Sequence, residues 1–234
     1  MNFEISETRN TIAHSIRDFA KKHIKPFMMD WDEHQTFPEE LFHQLGAMGY
    51  MGVLVPEEYG GSGMDYHEYI TVIEEISKVD SSVGLSLAAH NSLCTNHILE
   101  FGNETQKQKW LPKLAHGEWI GAWGLTEHNT GSDAGGMSTT AVLDGDHYIV
   151  NGSKTWTTLA QNADWIFCLV RTETTPIKQE GISFLLIDMK TAGIEVKPII
   201  TVDGSHEVNM VFFDNVKVPC ENIVGKVGQG WNIA

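Results

Sequence analysis

The sequence predicts an α+β chain of more than one domain, with an all-α first part followed by an antiparallel β-barrel or sandwich. Three observations carry that prediction. Apolar residues recur at helical spacing up to about residue 115. Beyond Glu118 the pattern becomes short β-branched and aromatic runs, broken by turn residues at roughly 8–12-residue intervals. The change of period is abrupt and falls near Glu118, which places the domains at 1–118 and 119–234.

In the helical part, Ser6 to Lys25 has a cap candidate in Ser6, apolar positions at Ile12, Ile16, Phe19 and Ala20, and a stop before Pro26. Pro38 suits the first turn of a helix running to about Met48. Asp65 to Val79 carries Tyr69, Val72, Ile73 and Ile76 on one face, with Glu74 and Glu75 on the other. Ser81 to Glu100 reads as one apolar helix ended by Phe101-Gly102. Asn103 to Ala115 begins with the capping-box spacing of Asn103 and Gln106. The glycine-rich stretch Gly52 to Gly63 connects helices. It lacks the Gly-Lys-Ser/Thr ending of a phosphate-cradling loop.

The strand candidates are Trp119 to Leu125, Thr139 to Leu143, His147 to Val150, Lys154 to Thr158, Trp165 to Arg171, Ile182 to Asp188, Ile194 to Ile200 and Val208 to Val216. Asp144-Gly145 and Asn151-Gly152 flank His147 to Val150 and predict hairpin turns at both places.

Composition narrows the function classes. Hydrophobic content of 41% and charged content of 20% are ordinary for a soluble globular protein. No apolar run approaches the roughly 18 residues that a membrane-spanning helix needs. Met1 to Thr8 lacks the basic-then-apolar layout of a signal peptide, so the expected location is cytoplasmic. A formal charge of −15 repels nucleic acid and anionic membrane, and neither is an expected partner. Any phosphate site must then be built locally, from backbone N–H groups and a few cations. Cys94, Cys168 and Cys220 are odd in number and far apart, which argues against a disulfide framework and against a cysteine zinc site. Cys168, in an apolar run, reads as a small buried hydrophobe. The eleven histidines are scattered, and no metal site is expected. Rossmann, zincin and nucleophile-elbow motifs are all missing.

Two segments stand out. In the first, Trp123, Leu125 and Glu127 alternate with Gly124, Thr126 and His128, so one face presents Thr126 beside a glycine. A planar ring could lie there, with the main chain close at Gly124. Beyond it, Gly131, Ser132 and Asp133 offer N–H groups and a hydroxyl suited to an anion. Taken alone, the same residues read more readily as a plain strand and Asx-type turn with no ligand. The second segment is Trp156-Thr157-Thr158, in which Trp156 and Thr158, two apart, face the same way. Core packing of the tryptophan is the alternative.

These segments fall in a fixed order with others. The set is Val55-Pro-Glu-Glu-Tyr-Gly-Gly-Ser-Gly63, Gly102 to Pro112, Leu125-Thr-Glu127 with Gly131-Ser-Asp133, Asn151-Gly-Ser-Lys-Thr-Trp156, Phe213 to Pro219 and Gly228-Gln-Gly-Trp231. As an ordered set spanning the whole chain, it resembles the acyl-CoA dehydrogenases. Those flavoenzymes introduce an α,β-double bond into acyl-CoA thioesters. The resemblance implies FAD as cofactor, acyl-CoA as substrate and electron-transferring flavoprotein as electron acceptor. It also implies a homo-oligomer in the complete enzyme.

Carried over by position, Trp123, Leu125 and Thr126 line the flavin, and Gly131 and Ser132 approach its pyrophosphate side. Ser132 also lies near the acyl-CoA arm. Trp156, Thr157 and Thr158 border the ring, with Thr158 hydrogen-bonding N5. In this family a second helical domain follows the middle β-domain and carries the glutamate base. That domain is expected to be absent from this chain, with its base beyond Ala234, so no catalytic residue is expected here. Glu127 belongs to the flavin-side motif and is not promoted to base. Activity of the 234-residue chain alone is expected to be slight. The alternative is a non-catalytic or split flavin- and acyl-CoA-binding subunit, completed by a separate helical chain and showing an exposed apolar face. An oxidase of the same scaffold is a further possibility. One departure is Thr157-Thr158-Leu-Ala-Gln161, where the family more commonly has Ile-Thr-Asn after the tryptophan.

Overall fold

The computed structural model describes residues 6–234, and the opening residues used to argue against a signal peptide fall partly outside that range. The chain divides into two compact units. The first ends at Asn96 and regains Trp110–Glu118; the second comprises His97–Lys109 and Trp119–Ala234.

Helix α1 (Glu7–His23) starts where predicted, with the Ser6 hydroxyl accepting from the Arg9 amide, and buries Ile12, Ile16, Phe19 and Ala20. A short α2 (Met28–His34) follows, which periodicity did not reveal because it buries no residue. Helix α3 (Glu39–Ala47) has Pro38 at its N-cap. Helix α4 (Tyr66–Ser77) opens on a capping box between Asp65 and Glu68. Its Glu75 departs from the expected solvent face. The carboxylate is buried and takes two hydrogen bonds from the Arg17 guanidinium and one from Lys78.

The long apolar helix predicted over Ser81 to Glu100 is interrupted. It runs as α5 (Ser81–Ala88), a π-helical turn at Ala89–Thr95, and α6 (Asn96–Phe101). In the wide turn, the Asn91 side chain donates to the carbonyls of Tyr50 and Leu87 and accepts from the Val53 amide. Satisfying three backbone groups there is a local reason for the helix to widen. The core of the first unit is the cluster around Ile16, Leu45, Met51, Val72 and Leu87.

Helix α7 (Glu104–Ala115) begins with the predicted reciprocal bonds between Asn103 and Gln106. Gln106 also donates to the carbonyls of Glu221 and Ile223.

The second unit is a mostly antiparallel eight-stranded sheet. Its strands are β1 (Gly121–Gly124), β2 (Thr140–Asp144), β3 (His147–Thr158), β4 (Trp165–Arg171), β5 (Ile182–Asp188), β6 (Ile194–Ile199), β7 (Val208–Pro219) and β8 (Ile223–Val224). They run in the order β6-β7-β3-β2-β4-β5-β8, with β1 parallel to β4. Strands β4 and β5 are buried along nearly their whole length, Cys168 included.

The predicted turn between β2 and β3 forms at Gly145-Asp146, with Asp144 paired to His147 as the last residue of β2. Asn151-Gly152 does not turn; β3 runs straight through it. A one-residue slip against β7 occurs there, with Gly152 at φ 143°. A side chain at 152 would lie 2.6 Å from the Thr139 Cα, so glycine is needed for close packing rather than for a hairpin. Asn151 instead accepts from the Asn215 amide on β7. A last short helix, α8, spans Gly230–Ile233.

Candidate functional site

The site residues named from sequence fall on three pieces of the second unit: the end of β1 and the loop after it, the end of β3, and the turn leading into β2. Trp123, on β1, is half-buried. Its ring stacks on His97 with centroids 5.1 Å apart and lies tilted 5.6 Å from Phe184. The strand ends at Gly124. That glycine is small for a reason other than the one expected: a Cβ there would meet Ile166 Cδ1 at 2.9 Å and Cys168 Sγ at 3.3 Å. Its bare side faces the β4 core, not an approaching ring.

Leu125, Thr126 and Glu127 follow. Glu127 closes a tight turn by exchanging two backbone hydrogen bonds with Thr130. Leu125 and Thr126 stay half-exposed, and Gly131 and Ser132 are fully open to solvent. Among the described residues, none accepts from the backbone amides of Leu125, Thr126, Gly131 or Ser132. Unpaired main-chain N–H groups on an open surface are what a heteroatom edge or an anion can use.

The second segment meets the first through its carbonyls. The Thr155 amide donates to the Thr126 carbonyl oxygen at 2.8 Å. The Lys154 ammonium donates to the Leu125 carbonyl at 3.2 Å and to Glu127 Oε1 at 2.9 Å. Both charged side chains are enclosed, at 0% and 1% exposure. Glu127 also accepts from the amides of Ser138 and Thr139 and from the Ser138 hydroxyl. Burial by itself pushes the Glu127 carboxyl upward, but the Lys154 charge and these donors outweigh it and hold the group at about 2.

Trp156 sits on a bulge of β3: between the paired positions Lys154 and Thr157, the two residues Thr155 and Trp156 oppose Met210 alone on β7. It adopts φ 60°, in the left-handed region that a bulky residue rarely enters, and the residue is 57% exposed. Thr157 is buried, and its hydroxyl has no hydrogen-bond partner among the described residues. Its carbonyl accepts from Asn209, whose amide also reaches Gln161. Thr158 ends β3, half-buried opposite Val208.

The loop carrying Gly131 and Ser132 is held from behind by Arg171. Its guanidinium donates to the carbonyls of Gly135, Met137 and Lys178. Lys178 in turn pairs with Asp133 on the exposed side. Arg171 is thus committed to carbonyls, and an anion at Gly131-Ser132 would rely on backbone amides.

The structure therefore brings Leu125, Thr126 and Glu127 together with the Lys154–Thr158 end of β3. No hydrogen bond joins Gly131 or Ser132 to them among the described residues. Lys154 and Arg171 are the residues to which sequence reading gave no role. A signal for Lys154 was present. Glu127 is the one carboxylate between Trp119 and Ser132, and Lys154 the one ammonium between Tyr148 and Gln161. Single opposite charges in two otherwise uncharged segments are candidates for a buried pair.

Comparison with known proteins gives matches along the chain. Residues 6–118 match the family model "Acyl-CoA dehydrogenase, N-terminal domain" and residues 122–216 match "Acyl-CoA dehydrogenase, middle domain". The short-chain-specific acyl-CoA dehydrogenase of Clostridium acetobutylicum is 40% identical over 100% of this chain and 62% of its own length. A solved structure described as "Electron transferring flavoprotein of Acidaminococcus fermentans: Towards a mechanism of flavin-based electron bifurcation" superposes with a TM-score of 0.94 at 37% identity. It covers 100% of this chain and 62% of that one. A glutaryl-CoA dehydrogenase from Mycobacterium smegmatis, solved in complex with FADH2, gives 0.85 at 30% identity over 94% and 56%. The chain thus spans about three-fifths of the relatives it matches.

Proposed function

Since this chain belongs to the acyl-CoA dehydrogenase family, we propose that it supplies the flavin-facing wall of an FAD-dependent dehydrogenase of acyl-CoA thioesters. The observation that carries the reading is the edge at Leu125 and Thr126. Their carbonyls are tied inward to Lys154 and Thr155, and their amides have no partner among the described residues. FAD, when bound, supplies the acceptor for the hydride leaving the acyl β-carbon.

The residues fit such a group. Thr126 and Leu125 donate from the main chain to a heteroatom edge. Trp123 and Trp156 border a planar ring, the second with its face already out of the sheet. Thr157 and Thr158 shape the end of β3 beside it, with the Thr158 hydroxyl available as a donor. Gly131 and Ser132 offer amides to a pyrophosphate, and Ser132 a hydroxyl to the acyl-CoA arm.

Glu127 does not take the α-proton. A general base works best with a pKa near the operating pH. This carboxylate, saturated by four donors and held at about 2, has almost no proton affinity at neutral pH. The base is assigned to no residue of this chain. Electron-transferring flavoprotein is the proposed acceptor, and a homo-oligomer the proposed assembly.

A second reading is a flavin- and acyl-CoA-binding subunit completed by a separate helical chain. It rests on the large apolar side chains that the second unit leaves exposed, among them Trp156, Ile177, Val227 and Trp231. Co-purification of such a helical chain would favour it, and a lone stable monomer would count against it.

The test of the main reading is a titration of the purified protein with FAD, following tryptophan and flavin fluorescence. Quenching that saturates, and that Trp156→Phe reduces, is expected. No association at millimolar FAD would overturn the reading.

A further inference from the structure

The pair Lys154–Glu127 lies beneath the proposed flavin wall, touches no solvent, and has no part in the proton or hydride chemistry above. A buried ion pair is a poor device for stability alone, because desolvation consumes most of the attraction. Its geometry suggests another use. A trans peptide is planar, with the carbonyl oxygen of one residue and the N–H of the next pointing in opposite directions. Lys154 Nζ holds the Leu125 carbonyl inward. The same bond therefore turns the Thr126 N–H outward, to the side where no described residue accepts from it. One residue on, the Thr155 amide draws the Thr126 carbonyl inward in the same way.

The lysine has its own support. Glu127 Oε1 takes one bond from it, and the carboxylate is fixed by the Ser138 and Thr139 amides at the entry to β2. Met137 Sδ completes the surroundings of the ammonium at 4.0 Å. With every neighbour in place, the ammonium has little freedom to move off the Leu125 carbonyl.

We infer that Lys154 is a positioning residue that aims the Thr126 amide at the flavin, and that Glu127 serves to hold Lys154 in place. The inference rests on the flavin reading above. It adds that affinity for FAD depends on a side chain that never touches it.

Three variants of the full chain test this, each measured for FAD affinity, for the shape and position of the bound flavin's visible bands, and for thermal unfolding. Lys154→Met removes the donor to Leu125 but leaves a carboxylate buried. Lys154→Met combined with Glu127→Met replaces the pair by apolar groups of similar length and relieves that penalty. Glu127→Asp keeps both charges and draws the carboxylate back by one methylene, the mildest change.

The expected result is a folded double variant whose FAD affinity falls by roughly tenfold, the scale of one misdirected hydrogen-bond donor. Its flavin bands should shift. Glu127→Asp should weaken binding less, in the same direction. A stability effect alone moves the melting temperature and leaves the spectrum of bound flavin unchanged. Any of these variants that folds and binds FAD with wild-type affinity and spectrum overturns the inference. If the wild-type chain itself takes up no FAD, the flavin reading fails first, so the two failures are distinguishable.

Discussion

The Thr155 amide donates to the Thr126 carbonyl oxygen at 2.8 Å, and that bond joins two segments far apart in sequence into one surface. Without it and its neighbour from Lys154, the chain after β1 at Leu125 and the bulge of β3 at Trp156 would be separate features of the sheet.

Thr157 buries a hydroxyl with no partner among the described residues. An unsatisfied buried polar group costs more than its shape contributes, so the isosteric Thr157→Val should stabilise the protein by about 1 kcal/mol. Urea unfolding should show a higher midpoint with an unchanged slope. A lower midpoint would mean that the hydroxyl is satisfied in solution.

Gly152 should not tolerate a side chain. Its φ of 143° and the 2.6 Å approach to Thr139 leave no place for a Cβ. Gly152→Ala is expected to cost about 2–3 kcal/mol through overpacking and backbone strain. It should also displace Thr139, whose amide helps to hold Glu127. Thermal unfolding checks the first effect and FAD titration the second.

Arg171 makes its three carbonyl bonds with a planar fork that lysine cannot reproduce. Arg171→Lys should release the loop from Gly135 to Met137. Amide exchange there is expected to rise at a stability cost of about 1–3 kcal/mol, with weaker FAD binding through Gly131 and Ser132. Unchanged exchange would show that the loop holds itself.

Acid sensitivity should appear first in the helical unit. The His90 ring is fully enclosed, and burial pushes its pKa down to about 4, only partly opposed by its bond to the Leu114 carbonyl. As pH falls below 6.5 the unfolded chain takes up a proton that the folded chain refuses until about 4. Stability should therefore fall across that window, by roughly 3 kcal/mol at its lower end. Glu127 and Glu75 act lower. Both are depressed to about 2 from 4.5, so the stability they contribute above 4.5 is lost between there and about 2. His90→Gln should flatten the urea midpoint between pH 6.5 and pH 4 and leave the more acid limb unchanged. A wild-type midpoint constant over that range would contradict the assignment.

Much of the fold was legible because it depends on local signals. The Ser6, Asp65 and Asn103 caps, the apolar faces of α1 and α4, and the Gly145-Asp146 turn each follow from a few neighbouring residues. The errors arose where a distant partner decided the outcome. Asn151-Gly152 has the composition of a turn, but Thr139 and Asn215 keep it in a continuous strand opposite a bulge of β7. Glu75 has the spacing of a solvent-facing residue, but Arg17 makes it a buried one. Asn91 looks like one more helical residue, and its bonds to Tyr50 and Val53 accompany the π turn. The site followed the same rule. Trp123, Thr126 and Trp156 could be named from their order in the sequence, whereas Lys154 gained meaning only once its ammonium was seen on the Leu125 carbonyl.

Trp156, finally, is a residue that the fold does not need. Holding an exposed tryptophan at φ 60° costs roughly 1–2 kcal/mol of backbone strain, which glycine or asparagine would largely avoid. Selection for a folded chain alone would thus let position 156 drift to those residues early. In a mutational library sorted once for abundance and once for flavin uptake, this position should show the widest gap between the two rankings.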